Sequence, residues 1–421
     1  MLMFIAINVS LIFEEFKIPP EENKVNNEVA ASTEISNINF ERPLNFVESP
    51  IHAQSSSEEK IATGALVFGK YLKKVLLPYP MGFYYGYAYI TPQKFDNIKN
   101  YILLSFAIVL IGLFLFSFFK KYYVIAFGLL TYLSTISQVL GVFYPIPGVI
   151  GDRFLFLPSL GFSIVLAWFI FKIINSKYEK VGYSILMIVL LVYSFITIQR
   201  NFQWKDRITL FEADIEYLSE SAQAQALLGY AYMQKANENP SISEKVYNEL
   251  ALKAKTQFEK AIQIYPDFVN WWYDKSRIEG ELGLLDDALA SLKKSISLDE
   301  GFLPDPYFNI ANIYFYKGAY QDAIYYFNET IKWGYNEPVV YNSIAASYIE
   351  LGNMSAAESI LLEGYSLYPN NFDVNINLGL VYMDLNNLSL ALRYLENAQR
   401  LNPNSQDLNA LIEDVKKEIP N

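Results

Sequence analysis

Residues 101–119 read YILLSFAIVLIGLFLFSFF, a stretch of nineteen positions without an acidic or basic side chain. Three similar stretches follow it before residue 199. A helix of about 20 apolar residues crosses the roughly 30 Å hydrocarbon core of a bilayer. Four such stretches so close together would leave a soluble helix bundle with almost no solvated face. The sequence therefore predicts four transmembrane helices, at 101–119, 124–143, 154–171 and 181–198.

The charges of the short loops predict the orientation of these helices. Five lysines lie in the first and third loops, whereas the middle loop carries only Arg153 opposite Asp152. Cytoplasmic loops are enriched in Lys and Arg, so the lysine loops are predicted to be cytoplasmic. The middle loop, the segment 14–100 and everything after Gln199 are then extracytoplasmic. The five lysines are Lys120, Lys121, Lys172, Lys177 and Lys180.

The N-terminal region predicts two further membrane-associated elements. Residues 1–13 are uncharged but too short to span a bilayer, and we interpret them as a partial membrane helix of an N-terminally incomplete module. Within the extracytoplasmic loop 14–100, apolar residues from Ile61 to Val75 recur on one helical face while Lys70 lies off it. This pattern predicts an interfacial helix at about 58–77 that contacts membrane lipid.

The composition restricts the classes of site that the chain can contain. There are 44 acidic and 33 basic residues, so the net charge of −11 disfavours nucleic acid as a partner. The chain has no cysteine and one histidine, His52, which excludes disulfides, iron–sulfur clusters and the usual zinc sites. We therefore predict no metal site and no required cofactor.

A pattern with a period of 34 residues fills the C-terminal part of the chain. Five alanines recur at intervals of 34, 35, 34 and 34 residues, and each is followed four positions later by Phe or Leu. This register is typical of tetratricopeptide repeats, whose helical hairpins stack into a superhelix. It predicts about five hairpins at 221–404, between a linker helix at 200–220 and a capping helix at 405–421. The alanines are Ala254, Ala288, Ala323, Ala357 and Ala391.

The fold class predicted from both patterns is all-α, a polytopic membrane helix bundle followed by a tetratricopeptide-repeat superhelix. The first helix of each hairpin lines the concave groove of such a superhelix. By spacing, the groove combines aromatic, amide and cationic side chains, which suit an extended peptide, although each position can also be an ordinary packing or solvated one. The candidate groove residues are Tyr273, Arg277, Phe308, Asn312, Phe315 and Asn342.

The sharpest motif is GDRFLFLPS at residues 151–159, which sets an acid–base pair at the mouth of a membrane helix. A charge at the bilayer centre would cost roughly 3 kcal/mol, so Asp152 and Arg153 must stay at the rim or be paired. A dense aromatic run, FYYGYAY at 83–89, precedes the first span and indicates an interface belt or a stacking platform for a sugar. A second motif, RNFQWKD at 200–206, follows the last span.

These motifs resemble the transmembrane and tetratricopeptide-repeat-containing O-mannosyltransferases and their bacterial relatives. The resemblance rests on Asp152 to Gly161, on Arg200 to Asp206 with Leu210-Phe211, on Glu48-Ser49-Pro50, and on repeats that begin directly after the last membrane helix. It implies a GT-C glycosyltransferase that takes a sugar from a polyprenyl-phosphate carrier. This family carries an acidic pair in its first extracytoplasmic loop, and the chain has no counterpart of that loop, so the catalytic residues stay unknown.

Two functions follow as alternatives. One is the C-terminal part of a membrane glycosyltransferase, in which Asp152, Arg153, Lys70 and Arg200 contact the carrier phosphate or the sugar and the repeats bind an extracytoplasmic acceptor or partner protein. The other is a non-catalytic, membrane-anchored repeat scaffold in which Asp152 and Arg153 only hold helices together. We expect a bacterial inner membrane with the repeats in the periplasm, or alternatively an endoplasmic reticulum membrane with the repeats in the lumen.

Overall fold

The computed structural model describes residues 51, 55–86, 89–143, 150–238, 241–298 and 305–419. Within these ranges the chain is all-α and contains no β-strand, which confirms the predicted fold class. The chain divides into two compact units, residues 1–266 and residues 267–421. The predicted partial helix at 1–13, the Glu48-Ser49-Pro50 motif and His52 lie outside the described residues.

The first described helix of unit 1 is α1 (Ser57–Leu76), which starts at a reciprocal cap. The Glu59 amide donates to the Ser56 side chain, and the Ser56 amide donates to the Glu59 carboxylate. The apolar face of α1 is buried against protein, because Phe68 packs edge-on against Tyr132 in the core of the unit. The predicted helix is present, but the apolar face predicted to contact lipid is covered by neighbouring helices. Amphipathic periodicity alone does not distinguish these two environments.

Three helical stretches in the described part of unit 1 are long and apolar enough to cross a membrane. They coincide with three of the four predicted spans. In the most apolar 18-residue window of the first and the third of them, only 6% of the residues are buried inside the protein. Such exposed apolar surface requires a lipid environment. The chain is therefore a membrane protein. The stretches are α2 (Ile98–Phe119), Asp152–Ile174, which comprises a 3₁₀ turn (Asp152–Leu155) and α4 (Phe156–Ile174), and α5 (Glu179–Gln203).

The second predicted span, 124–143, is shorter in the structure. Its helix, α3 (Tyr123–Ser137), has 15 residues. The helix ends because the following residues form turns, in which Gly141 has a φ of +72°. These turns pack on α1, where a Cβ on Gly64 would lie 2.4 Å from Val142 Cγ2. Leu140 and Val142 in these turns therefore contact α1 and do not extend the membrane helix.

Unit 1 also contains the linker and the first predicted hairpin. Helix α5 continues past Arg200, and α6 (Arg207–Ile215) starts at Asp206, whose side chain accepts from the Thr209 amide at 2.8 Å. The hairpin consists of α7 (Ala222–Asn237) and α8 (Glu244–Ile264). Leu218 and Ala224 complete the core around α1. A cut at about Trp204 would expose both residues, so this position is not a natural boundary for an autonomous repeat domain.

The described residues of unit 2 form four further hairpins and a last helix. All five alanines of the sequence pattern, including Ala254 of α8, are at most 1% exposed. The turn inside each of the four hairpins uses a left-handed residue five positions before the alanine: Gly283, Gly318, Gly352 and Asn386. The helices are α9 (Val269–Glu281), α10 (Leu285–Leu298), α11 (Asp305–Tyr316), α12 (Tyr320–Lys332), α13 (Pro338–Glu350), α14 (Met354–Leu367), α15 (Phe372–Asp384), α16 (Leu388–Leu401) and α17 (Gln406–Glu418).

Candidate functional site

The Asp152 carboxylate forms its contacts within unit 1. Its Oδ2 accepts from the Gly82 amide at 2.7 Å, and its Oδ1 lies 3.1 Å from Lys74 Nζ. The Tyr85 hydroxyl lies 3.2 Å from both carboxylate oxygens. These contacts occupy most of the acceptor positions of the carboxylate. Asp152 therefore holds the segment 77–86 against the mouth of α4 and has little capacity left for an external ligand.

Lys74 is the cation that balances Asp152. Its side chain is buried. Its ammonium group donates to the Pro80 carbonyl at 2.7 Å and to the Tyr85 hydroxyl at 2.6 Å. Burial lowers the pKa of Lys74, and the nearby Asp152 carboxylate partly offsets this effect. Lys74 can be buried because Asp152, 78 positions away along the chain, supplies a partner of opposite charge.

A second ion pair joins Arg200, near the end of α5, to Asp214 in α6. Arg200 Nη2 donates to Asp214 Oδ2 at 2.8 Å, and Nη1 donates to Oδ1 in a bidentate pair. Asp214 is 2% exposed and also accepts a hydrogen bond from the Phe83 amide. The Arg200 guanidinium group is therefore bound to Asp214 and is not free to bind a ligand.

The two carboxylates together fix the aromatic segment between α1 and α2. Asp152 and Asp214 bind the amides of consecutive residues, Gly82 and Phe83. The Phe83 ring stacks on Phe211 of α6 with centroids 3.8 Å apart. A Cβ on Gly82 would lie 2.6 Å from the Tyr85 ring, so this position admits only glycine without rearrangement. We name residues 77–86 the clamped loop.

Arg153, next to Asp152, is exposed and lies in a 3₁₀ turn at the start of α4. Its guanidinium carbon is 5.0 Å from the centroid of the Phe154 ring. In the parts of unit 1 that the structure describes, Arg153 forms no ion pair. Asp152 fixes the backbone of the turn, so Arg153 is an available cation on an anchored segment at the end of a membrane helix.

Lys70 has a different environment from Lys74, one turn away on α1. Its ammonium group lies 3.8 Å from the centroid of the Tyr89 ring and 3.4 Å from the Tyr89 carbonyl oxygen. Burial and the neighbouring Lys99 ammonium lower the pKa of Lys70 to about 8. Over the described residues, no carboxylate lies within ion-pair distance of Lys70. Lys70 therefore retains capacity for an anion.

The four candidates for carrier binding thus differ in availability. Asp152 and Arg200 are internally paired, whereas Arg153 and Lys70 are not paired with any described carboxylate. No hydrogen bond joins Arg153 to Lys70 within the described ranges, where each cation instead lies against an aromatic ring. Sequence reasoning missed Lys74 and Asp214, because the pairing of residues from separate helices leaves no local pattern.

The six predicted groove residues all lie in first helices of unit 2 hairpins, and they are not equivalent. Phe308 packs with its ring centroid 5.6 Å from that of Phe327, and Phe315 packs similarly at 5.4 Å from Tyr320, so both contribute to packing. Asn312 is 4% exposed. Asn342 Oδ1 is buried without a partner.

The other two groove candidates lie in α9. The Tyr273 hydroxyl is 3.5 Å from Asn309 Nδ2, and burial raises the pKa of this tyrosine. Arg277 is half-buried and forms no ion pair with any described residue. Among the six candidates, unused hydrogen-bonding capacity is therefore seen at Arg277 and at Asn342 Oδ1.

Comparison with known proteins supports both halves of this description. Residues 339–371 and 372–405 match the family model for the tetratricopeptide repeat. The protein O-mannosyl-transferase TMTC3 of Mus musculus is 26% identical over 256 residues, which is 57% of this chain and 26% of that protein. TMTC3 of Homo sapiens gives the same identity over 57% of this chain and 27% of its own length.

These similarities confirm the resemblance read from the motifs. The chain is a membrane protein with tetratricopeptide repeats, similar to the O-mannosyl-transferase TMTC3 proteins. It spans about a quarter of the length of the curated relatives it matches. Among solved structures, MamA matches with a TM-score of 0.36 and 20% identity over 39% of this chain and 95% of that chain. YrrB, a repeat protein with an unusual peptide-binding site, matches with a TM-score of 0.39 and 15% identity over 49% of this chain and all of that chain.

Proposed function

We propose that the chain is part of an integral-membrane glycosyltransferase that takes a sugar from a polyprenyl-phosphate carrier. The observation that carries this proposal is Arg153, an exposed guanidinium group on a turn anchored by Asp152 at the mouth of a membrane helix. A guanidinium group binds phosphate oxygens with two parallel hydrogen bonds, so Arg153 suits the headgroup of a lipid-linked sugar. Mannose is the first donor sugar to test, because the similar proteins are O-mannosyl-transferases.

In this proposal, Asp152 and Arg200 act indirectly. Both belong to the ion pairs that fix the clamped loop, and their loss would disorder the surroundings of Arg153. Lys70, which has no described carboxylate partner, is the second candidate for contact with the carrier phosphate. The catalytic base stays unassigned, and the proposal needs neither a metal nor a further cofactor.

The repeats complete the proposal by binding an acceptor or partner protein on the same side of the membrane as Arg153. The lysine distribution supports an extracytoplasmic position of the repeats, in a periplasm or an endoplasmic reticulum lumen. A reporter fused after Lys177 should be active in the cytoplasm, and one fused at Asn421 should be active outside it. Activity of both reporters on one side would overturn this orientation.

The transfer reaction is tested with the chain and its native flanking sequence, expressed in membranes with polyprenyl-phosphate mannose. We expect Arg153→Gln to lower transfer by about tenfold or more, because hydrogen bonds to a charged group contribute about 1.5–3 kcal/mol. Lys73→Gln is the matched control, since Lys73 is an exposed cation on α1. Lys74 is unsuitable for this purpose because it is buried against Asp152. Equal transfer by the Arg153 variant and the control would refute the assignment.

One observation favours a second function, a membrane-anchored scaffold without enzymatic activity. Asp152 and Arg200, two of the four candidate donor-binding residues, are engaged in ion pairs that hold helices together. Under this alternative, no lipid-linked sugar is used, and the repeats still bind a partner. Absence of transfer from every lipid-linked sugar, together with retained partner binding by the repeats, would support the scaffold.

A further inference from the structure

Three rings of the aromatic run at 83–89 form contacts inside unit 1. Phe83 stacks on α6, Tyr85 is 3% exposed, and Tyr89 lies against a lysine ammonium group. These three rings are therefore not free to form the stacking platform that the sequence indicated. The structure instead exposes two rings outside this run, those of Tyr79 and Tyr217, which we name the tyrosine pair.

The tyrosine pair presents two rings and two hydroxyl groups to solvent. Tyr79 is 55% exposed and Tyr217 is 39% exposed. Their ring centroids are 5.8 Å apart at an interplanar angle of 70°, and their hydroxyl oxygens are 2.6 Å apart. The rings therefore form a corner that is held by a hydrogen bond between the hydroxyl groups. This hydrogen bond raises the pKa of Tyr217, so its hydroxyl group stays protonated at neutral pH.

The chemistry of this corner matches that of a neutral sugar. The face of an aromatic ring is electronegative, so it attracts the polarised C–H groups on one face of a sugar ring. When two hydroxyl groups share a hydrogen bond, one of them still has a proton to donate and both have lone pairs to accept with. The tyrosine pair can therefore donate one hydrogen bond to a sugar hydroxyl and accept others. A tyrosine of a membrane-interface belt, in contrast, needs neither a second ring nor a hydroxyl partner.

The tyrosine pair also lies on the segment that Asp152 anchors. Tyr79 belongs to the clamped loop, three residues before Gly82, so the Cα atoms of these two residues are at most about 11 Å apart. The Gly82 amide donates to Asp152 at 2.7 Å, and Arg153 is the next residue of the chain. Because arginine and tyrosine both have long side chains, a lipid-linked sugar bound by its phosphate to Arg153 can extend its sugar to Tyr79.

We propose that the tyrosine pair binds the sugar of the lipid-linked donor, a neutral hexose. One ring stacks on a face of the hexose, and the hydroxyl groups form hydrogen bonds with hexose hydroxyls. This inference rests on the proposed function and adds to it the residues that recognise the sugar, as distinct from Arg153, which binds the phosphate.

The test measures binding of two lipids to the full chain in nanodiscs. One lipid is polyprenyl-phosphate mannose, and the other is the methyl ester of the same polyprenyl phosphate, which has the same charge but no sugar. Tyr79→Phe and Tyr217→Phe should each weaken binding of the mannose lipid about three- to tenfold, as expected for the loss of a neutral hydrogen bond. Both variants should bind the methyl ester within about twofold of the wild-type chain. Tyr79→Leu, which also removes the ring, should weaken binding of the mannose lipid further.

Two other variants provide the controls. Tyr101→Phe removes a hydroxyl group from a tyrosine that is 50% exposed at the start of α2, and it should leave the binding of both lipids unchanged. Arg153→Gln should weaken binding of both lipids about tenfold, because both contain the phosphate. If Arg153→Gln binds both lipids as tightly as the wild-type chain does, the proposed carrier site is wrong.

The sugar assignment has its own contradicting outcomes. It is overturned if Tyr79→Phe and Tyr217→Phe bind the mannose lipid as tightly as the wild-type chain does. It is also overturned if these variants weaken binding of both lipids equally, which would indicate a contact with membrane lipid or a structural role in the clamped loop. If the wild-type chain binds neither lipid, this inference and the proposed function both fail.

Discussion

Removal of the Asp214 charge is the most informative single perturbation of the clamped loop. In Asp214→Asn, the Arg200 guanidinium group, with 12% of its side chain exposed, loses its bidentate partner and becomes an uncompensated buried charge. Breaking a buried ion pair costs about 3–5 kcal/mol. Asn retains hydrogen-bonding capacity toward the Phe83 amide, so we take the lower end, about 3 kcal/mol.

The assay is hydrogen–deuterium exchange of the peptide that covers residues 77–86 in the purified full chain. A loss of about 3 kcal/mol in local stability corresponds to roughly hundredfold faster exchange of the Gly82 and Phe83 amides. Glu216→Gln is the matched control, because it removes one negative charge at an exposed position nearby, and it should leave exchange within about twofold. The same exchange rate in both variants would refute the view that Asp214 holds the loop.

Three further predictions concern the helices and Lys70. Gly161→Ala should destabilise unit 1, because its Cβ would lie 2.5 Å from Gly128 O and from Tyr132 N, whereas Gly112→Ala, with no neighbour within 4 Å, should leave the thermal melt in detergent unchanged. Ala357→Trp should destabilise unit 2 by about 1–3 kcal/mol in a circular-dichroism melt, since Ala357 is fully buried. Ser355→Trp, at an exposed position, should have little effect on the same melt. Lys70 should react with an amine-acylating reagent with a midpoint near pH 8, because the neutral amine forms as pH rises through its pKa; a midpoint near 10.5 would contradict this.

The repeat half of the fold could be predicted from the sequence because its determinants are local and periodic. The buried face of a second helix is marked by a small and a bulky residue four positions apart, such as Ala357 and Leu361. The same spacing recurs in every hairpin. The left-handed turn positions, such as Gly318 and Gly352, share this period and could also have been found from spacing. The end of α3 could not be predicted, because Leu140 and Val142 are as apolar as residues of a membrane helix and only their packing against Gly64 shows their environment.

The sequence could indicate the position of the candidate site, but it could not indicate which of its charged residues form ion pairs. The motif at Asp152 and Arg153 marks the mouth of α4, but the sequence does not indicate which of the two charges is internally satisfied. That depends on Lys74 and on the backbone of the clamped loop, which approach Asp152 only after the helices pack. The pairing of Arg200 could not be predicted for the same reason, since α5 continues past the predicted span and brings Arg200 against Asp214 of α6.

Binding of a polyprenyl phosphate to the full chain in nanodiscs tests the central claim most directly. Arg153→Gln should weaken this binding by about tenfold or more, while Lys73→Gln, which removes an exposed charge from α1, should change it by less than about twofold. If the Arg153 variant binds the lipid phosphate as tightly as the wild-type chain, Arg153 does not hold the carrier and the account of this site is wrong.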